Sequence, residues 1–360
     1  MRNINMDVLR GIAVLGLMFM NAYFFGVFEY GYVPSTQPPL SDNIIHTADL
    51  IFVDGRFRTL FCLLFGAGLV IQRQHPQLHD KQYNRLKILA FIGLAHGLLL
   101  WAGDILLIYA CAGWLTLKFI DQPYNQQLKQ GIGFLALGAV ISFLLAFIEP
   151  DMSPLTRESD TFVEAYQDWH SSFFSGFMSN ILMFVVMLIA LPLITLWMTA
   201  GIMLIGVALY KQGIFVNGLT TKQLNFILPA AVGFTLLRLI VEPSTSVLTY
   251  ALAEPFNWFA ALSTALLYIH LIVKLVGNNK NKFTVLQNAG RMSLTLYLMQ
   301  TVIFLLCFRV VFPSWVLTFN RIDYWLLSVF IAVLQLSFCA LYLRLFKHGP
   351  CEYVWRKLSS

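Results

Sequence analysis

One apolar run, residues 86–120, limits what this chain can become. As a single helix it would be roughly 50 Å long, well beyond the ~30 Å hydrocarbon core of a bilayer. Something has to break it. Gly103 suits the residue just past a helix end, and Asp104 suits the N-cap of the next helix. The stretch GLAHGLLLWAGDILLIY from Gly93 therefore reads as a helical hairpin with its tip at Ala102-Gly103. Two ionisable residues lie in it: His96, about two turns before the tip, and Asp104, which opens the second helix. Charge at membrane depth is costly, so both are candidates for function. The alternative is that Asp104 is a cap and His96 a hydrogen-bonded packing residue.

The rest of the chain is of the same kind. Of 360 residues, 58% are hydrophobic and 12% charged, with a mean hydropathy of +0.70. That composition excludes a soluble globular enzyme and points to an all-α, polytopic membrane helix bundle. Asp7 and Arg10 interrupt the N-terminal apolar run, which is also too long for a cleaved signal peptide. The net charge of +6 fits basic cytoplasmic loops, and no nucleic-acid partner is expected. Four of the five cysteines lie in apolar helices and none forms a CxxC, so neither a metal site nor a disulfide framework is expected.

Ten crossings are predicted in one transmembrane domain, residues 1–360. The first spans 8–28, and residues 42–54 form a helix in the interface. The second runs from just after Gly55 to 71, and the hairpin supplies the third and fourth. The fifth is 130–148, and an acidic insertion at about 149–179 contains an amphipathic helix over 161–178. Residues 180–210, interrupted by Pro192, form one long kinked or tilted helix, or two half-spanning pieces. The last four crossings are 224–241, 256–276, 287–308 and 324–346. Lysine and arginine concentrate on the side of both termini, from Arg73, Lys81 and Arg85 to Lys347 and Arg356; the other side holds mainly Arg157 and Arg321. The positive-inside rule then places both termini in the cytoplasm and the 149–179 insertion in the periplasm.

Five segments in order carry a resemblance: DVLRGIAVLGLMFMNAYFFG from Asp7, DGRFRTLFCLLFGAGL from Asp54, the hairpin, GRMSLTLYLMQTVI from Gly290 and FKHGPCEYVWRKL from Phe346. Together they resemble the YeiB family of bacterial inner-membrane proteins, whose domain has no assigned function. That family is grouped with transmembrane acyltransferases, which include O-antigen and peptidoglycan O-acetylation enzymes and the lysosomal heparan glucosaminide acetyltransferase. The resemblance implies a multi-pass bacterial inner-membrane protein. It also implies transfer of an acyl group from cytoplasmic acyl-CoA, most simply acetyl-CoA, to an extracytoplasmic glycan, lipid or small molecule. The O-acyltransferases of that clan carry an Arg followed eleven residues on by His; here Arg10 is followed by Asn21. Asparagine is no general base near neutral pH, so a base has to come from elsewhere, or the chain is not an acyltransferase.

Acyl transfer needs a base for the acceptor proton and cations for the donor phosphates. His96, with Asp104 to fix its tautomer, is the catalytic candidate. Arg10 and Arg291, each opening an apolar helix, are donor-binding candidates, with topology anchoring as the alternative. Arg56 and Arg58 lie near Asp49 and Asp54 at the outer face, either as a binding site for an acidic acceptor or as a structural ion-pair cluster. Asn21 and Gln300 are polar groups deep in helices, suited to ligand contact or to interhelical hydrogen bonds. His46, Asp49 and Arg238 are secondary candidates. A transporter or flippase with a polar internal cavity is the competing function, since it too needs buried charge.

Overall fold

The computed structural model describes residues 3–79, 81–148, 155–243, 246–277 and 280–359, which are helical with no strand among them. The first helix, α1, is Ile4–Asn21; it starts earlier than the apolar pattern alone requires because the Asn3 side chain caps it, accepting from the Met6 amide at 3.4 Å. Helix α2 is Leu40–Phe52, and α3, Arg56–Gln74, follows a turn at Gly55, whose φ of 74° needs a residue without Cβ. Helices α4, Gln82–Leu99, and α5, Leu106–Leu117, form the hairpin. Next come α6, Tyr124–Ile148, and α7, Asp160–His170. Helix α8, Phe173–Lys211, continues through Pro192 on a wide turn at Leu191–Thr195. Helices α9, Thr221–Val241, and α10, Val247–Gly277, pack as a pair. The chain ends with α11, Thr284–Arg291, α12, Ser293–Val311, α13, Arg321–Leu345, and α14, Pro350–Leu358.

Seven helices among the described residues, α1, α6, α8, α9, α10, α12 and α13, are long and apolar enough to cross a membrane, which makes this a multi-pass membrane protein. Several boundaries differ from the sequence reading. Helix α5 has 12 residues, about 18 Å, so the second arm of the hairpin covers only part of a bilayer. The hairpin tip is also wider than two residues: α4 ends at Leu99, where the His96 carbonyl takes both the Leu100 and Trp101 amides. Gly103 is not among the glycines with positive φ, so it does not end the helix as expected. The amphipathic stretch 161–178 divides at Ser171-Ser172, and Ser172 caps the start of α8. Residues 149–154 of the acidic insertion lie outside the described residues. The ninth predicted crossing is interrupted at Met292, between α11 and α12.

The centre of the bundle is the second half of α8, Leu196–Lys211, buried against α3, α5 and α6. Small residues let these backbones approach. A Cβ on Gly206 would fall 2.2 Å from the Leu63 carbonyl oxygen, and one on Gly66 2.0 Å from that of Met203. The same device joins the two ends of the chain. A Cβ on Gly290 of α11 would lie 1.8 Å from the Asp7 carbonyl oxygen, and one on Gly11 2.1 Å from that of Leu286. The two motifs DVLRGIAVL and GRMSLTLYL are thus two faces of one crossing. On the far side, Arg157 ties loops together, reaching the carbonyls of Val33, at 2.7 Å, and Leu317, at 3.1 Å. Phe162 and Trp169 of α7 are buried there, so this helix packs on the bundle with its polar face outward.

Candidate functional site

The hairpin tip, residues 100–105, is non-helical backbone inside an apolar region, where every amide and carbonyl needs a partner. Side chains from distant helices supply them. Asn180 of α8 is buried; its Oδ1 accepts from the Ala102 amide at 2.8 Å, and its Nδ2 donates to the carbonyls of Gly97 and Leu98 at 3.0 and 3.2 Å. The Tyr297 hydroxyl accepts from the Ile105 amide at 3.2 Å. Asp104 is an end-capping residue as expected, its Oδ2 accepting from the Leu107 amide at 2.8 Å.

The other oxygen of Asp104 meets His96. Imidazole Nδ1 and Oδ1 are 2.8 Å apart, and Nε2 lies 3.0 Å from the Thr301 hydroxyl of α12. A carboxylate only accepts, so Nδ1 carries a proton toward Asp104 and Nε2 of the neutral ring is left as acceptor. The two functional readings of this pair therefore coexist: Asp104 is a cap, and it also fixes the tautomer of a histidine. Both side chains are buried, at 2% and 0% exposure. Gly93 makes room for the contact, since a Cβ there would come within 2.6 Å of Asp104 Oδ2.

Two cavities approach this network. The first, about 460 Å³, is lined by residues from both chain ends, among them Asn3 and Trp355. Its charged groups are Arg10, Arg85, Arg291 and Arg356, with Asp7 and Glu352. Four guanidinium groups against two carboxylates leave it cationic. Arg10 is 3.5 Å from Asp7 across one helical turn. Arg291 donates to the Lys347 carbonyl at 3.0 Å, and Arg85 stacks 4.6 Å from the centre of the Trp355 ring. Glu352 is not free for a ligand: its Oε1 takes the Leu294 and Thr295 amides at 2.8 and 3.1 Å and its Oε2 the Thr295 hydroxyl, capping α12 from the C-terminal helix. The inner wall is apolar, with Phe61, Phe65, Leu89 and Tyr109.

The second cavity, about 360 Å³, lies on the other side of the tip and is lined by Asn21, Asp54, Arg58, Asp104 and Glu254 among others. Leu17 and Ile105 line both cavities.

The remaining sequence candidates divide. Arg10, Arg291, Asn21 and Arg58 line cavities. Arg56 does not: it is fully buried, donating to the Asp54 carbonyl and the Asn257 amide oxygen. Gln300 donates to the Val14 carbonyl at 3.1 Å and to Gln335 at 3.0 Å, the interhelical role. Asp49 sits apart from Arg56 and Arg58. It accepts from Tyr23 at 2.8 Å and Trp325 at 3.1 Å, with Arg321 at 3.7 Å, and burial pushes its carboxyl up. His46 and Arg238 converge on Glu242, with His46 Nε2 at 2.7 Å. Burial works against that carboxylate's charge, but hydrogen bonds and charge from His46 and Arg238 hold it at about 2. Sequence reasoning missed Asn180, Thr301, Tyr297, Arg85, Arg356 and Glu254, whose partners lie far away in the chain.

Residues 209–360 match the family described as "Protein of unknown function (DUF418)". The chain is 28% identical to "Uncharacterized protein YeiB" of Escherichia coli (strain K12), over 99% of this chain and 96% of that one. It is 27% identical to "Uncharacterized 39.9 kDa protein in amylase 3'region" of Bacillus acidopullulyticus, over 98% and 92%. Identity to "Uncharacterized protein YxaH" of Bacillus subtilis (strain 168) is 22%, over 98% and 93%. A near full-length similarity to YeiB and a family match over the C-terminal part, which includes the Gly290 and Phe346 segments, agree with the resemblance that the sequence motifs carry: the chain is similar to YeiB along nearly its whole length.

Proposed function

We propose that this chain is an inner-membrane acyltransferase of ten crossings, α3, α4 and α5 included, with both termini in the cytoplasm. The donor is acyl-CoA, most simply acetyl-CoA, and the acceptor is extracytoplasmic. The observation that carries this reading is the pair of cavities meeting at Leu17 and Ile105, one of them cationic, beside a histidine with a fixed tautomer. The phosphates of the donor bind Arg10, Arg85, Arg291 and Arg356 by charge-assisted hydrogen bonds. The acyl thioester points toward Ile105 and the acceptor enters from the second cavity. His96 Nε2 takes the acceptor proton, Asp104 stabilises the resulting imidazolium, and the CoA thiolate leaves. Because His96 is sealed from both cavities, the tip at residues 100–105 shifts when the ligands are bound.

A transporter would also use two facing cavities with a thin partition. Acetyl-CoA separates the two readings. The purified protein in lipid nanodiscs is expected to bind acetyl-CoA in preference to ATP or ADP, and to release free CoA thiol when an acceptor is supplied. Equal binding of all three nucleotides with no thiol release refutes the acyltransferase.

A further inference from the structure

The second cavity has a composition of its own. One end carries two carboxylates, Asp54 and Glu254, and one guanidinium, Arg58, with Glu254 in electrostatic reach of the other two. Asp54 Oδ2 accepts from Asn257 at 2.9 Å and Glu254 Oε2 from Trp258 at 2.9 Å. Each carboxylate is therefore oriented by one oxygen and keeps lone pairs on the other. The remaining wall is mostly apolar and includes Met20, Phe24, Phe57, Ile108 and Met187, with Asn21 and Thr195 as polar members. The fourth charged group, Asp104, is already committed to His96 and to the Leu107 amide.

The wall on the α8 side is a single helix thick. Met187, Ala190 and Thr195 line the cavity, bracketing the wide turn Leu191–Thr195. Neighbouring residues of the same stretch, Val186, Ile189 and Leu193, are exposed large apolar side chains, which in a multi-pass protein face lipid. The cavity thus combines an excess of negative charge at one end, aromatic and aliphatic walls, and a bilayer-facing boundary at an irregular turn of the kind found at functional sites.

We infer that this cavity binds an amphiphile whose head group carries an ammonium, with the head between Asp54 and Glu254 and the tail along Phe24, Phe57 and Met187. Resting on the acyltransferase reading, it makes the acceptor an amine-bearing lipid-like molecule. The charge balance excludes the acidic acceptor that the arginines of this region would otherwise suggest. An ammonium that gives one proton to His96 becomes the free amine; the amine attacks the thioester carbonyl, its second proton passes to the departing CoA sulfur, and an amide and CoA thiol result.

The test measures retention of radiolabelled octylamine, ethylamine, octanol and octanoate by the protein in nanodiscs, corrected against empty nanodiscs. Octylamine is expected to bind, with ethylamine weaker by roughly fourfold for each methylene removed from apolar contact. Octanoate is expected at least about tenfold weaker than octylamine. Glu254→Gln, which keeps the acceptor for Trp258, should weaken octylamine, and Arg58→Gln should tighten it. Octanoate or octanol bound as well as octylamine by the unaltered protein overturns the assignment, whatever the variants do. Selective octylamine binding without acetylation from acetyl-CoA keeps the site and removes acyl transfer. Acetyl transfer to other acceptors with no preference for octylamine overturns the site and leaves acyl transfer standing.

Discussion

His96 and Asp104 are eight residues apart in the chain and 2.8 Å apart in space, the last turn of one helix facing the entrance to the next. The contact closes the hairpin, and the same carboxylate caps α5 through its other oxygen. One residue thereby couples backbone geometry to the state of an imidazole. His96→Ala leaves Asp104 Oδ1 and Thr301 without this partner, at a cost of about 1–3 kcal/mol. Acyl transfer should fall to background while folded protein is still recovered. Asp104→Asn keeps the cap and should fold, with reduced transfer. Thiol release and thermal unfolding in detergent measure the two effects separately; full transfer by His96→Ala refutes the catalytic role.

The cationic cavity predicts a graded loss of donor binding. Replacing Arg10 or Arg291 by Gln should weaken acetyl-CoA by about 1.5–3 kcal/mol, roughly tenfold or more. The effect should shrink as salt rises for any contact open to solvent. Arg10→Glu and Arg291→Glu should weaken binding further without changing membrane orientation. Calorimetric titration at two ionic strengths checks this, and unchanged binding in both variants with disturbed insertion favours an anchoring role.

The α1–α11 crossing brings backbone directly against backbone at Gly11 and Gly290. Gly290→Ala and Gly11→Ala place a methyl on top of backbone carbonyls, so both should destabilise by at least about 1–3 kcal/mol. Gly133→Ala in α6 is the control. Nothing lies within 4 Å of its Cβ position, and the change should be neutral or slightly stabilising. Comparable unfolding temperatures for all three variants would contradict the described crossing.

At the terminal face, a hydrogen bond from Arg73 holds the Asp121 carboxyl below its usual value of 3.8. Its contribution is present above that value and is lost as pH falls through the lower folded value. Both groups are partly exposed, so the contribution is at most about 1 kcal/mol. Arg73→Gln should lower stability at pH 7 slightly and flatten the loss below pH 3.8. A steeper acid loss in the variant contradicts the pairing.

Orientation has a direct check. Ser171 and Lys347 are both exposed, and the proposed topology puts them on opposite sides of the membrane. An impermeant thiol reagent applied to intact cells should label Ser171→Cys and spare Lys347→Cys. Labelling of both from outside contradicts that arrangement.

The sequence carries the helical architecture because apolar length is a local property. The irregularity at Pro192 is local too, and the proline marks it. The width of the hairpin tip is not readable, because the break begins at Leu100, where no proline or glycine marks it; the His96 carbonyl closes the turn there. The His96–Asp104 pair is legible as two ionisable groups in one hairpin. Thr301 and Asn180 are not, since they reach the tip from 205 and 78 residues away. Arg85 and Arg356 read as ordinary helix-end cations until folding turns them toward Arg10 and Arg291 in one space.

Leu17 and Ile105 are the two aliphatic side chains shared by both cavities, and in the proposed topology they would insulate one space from the other. Water in both spaces would leave most of the membrane voltage to fall across the layer they form, so the field there is far steeper than in plain lipid. Each elementary charge leaking through 100 mV dissipates about 2.3 kcal/mol of the cell's stored energy. A small residue at either position therefore threatens the host cell before it alters any chemistry. Cells expressing Leu17→Ala or Ile105→Ala should acidify faster than cells with the unaltered chain when the external pH is dropped.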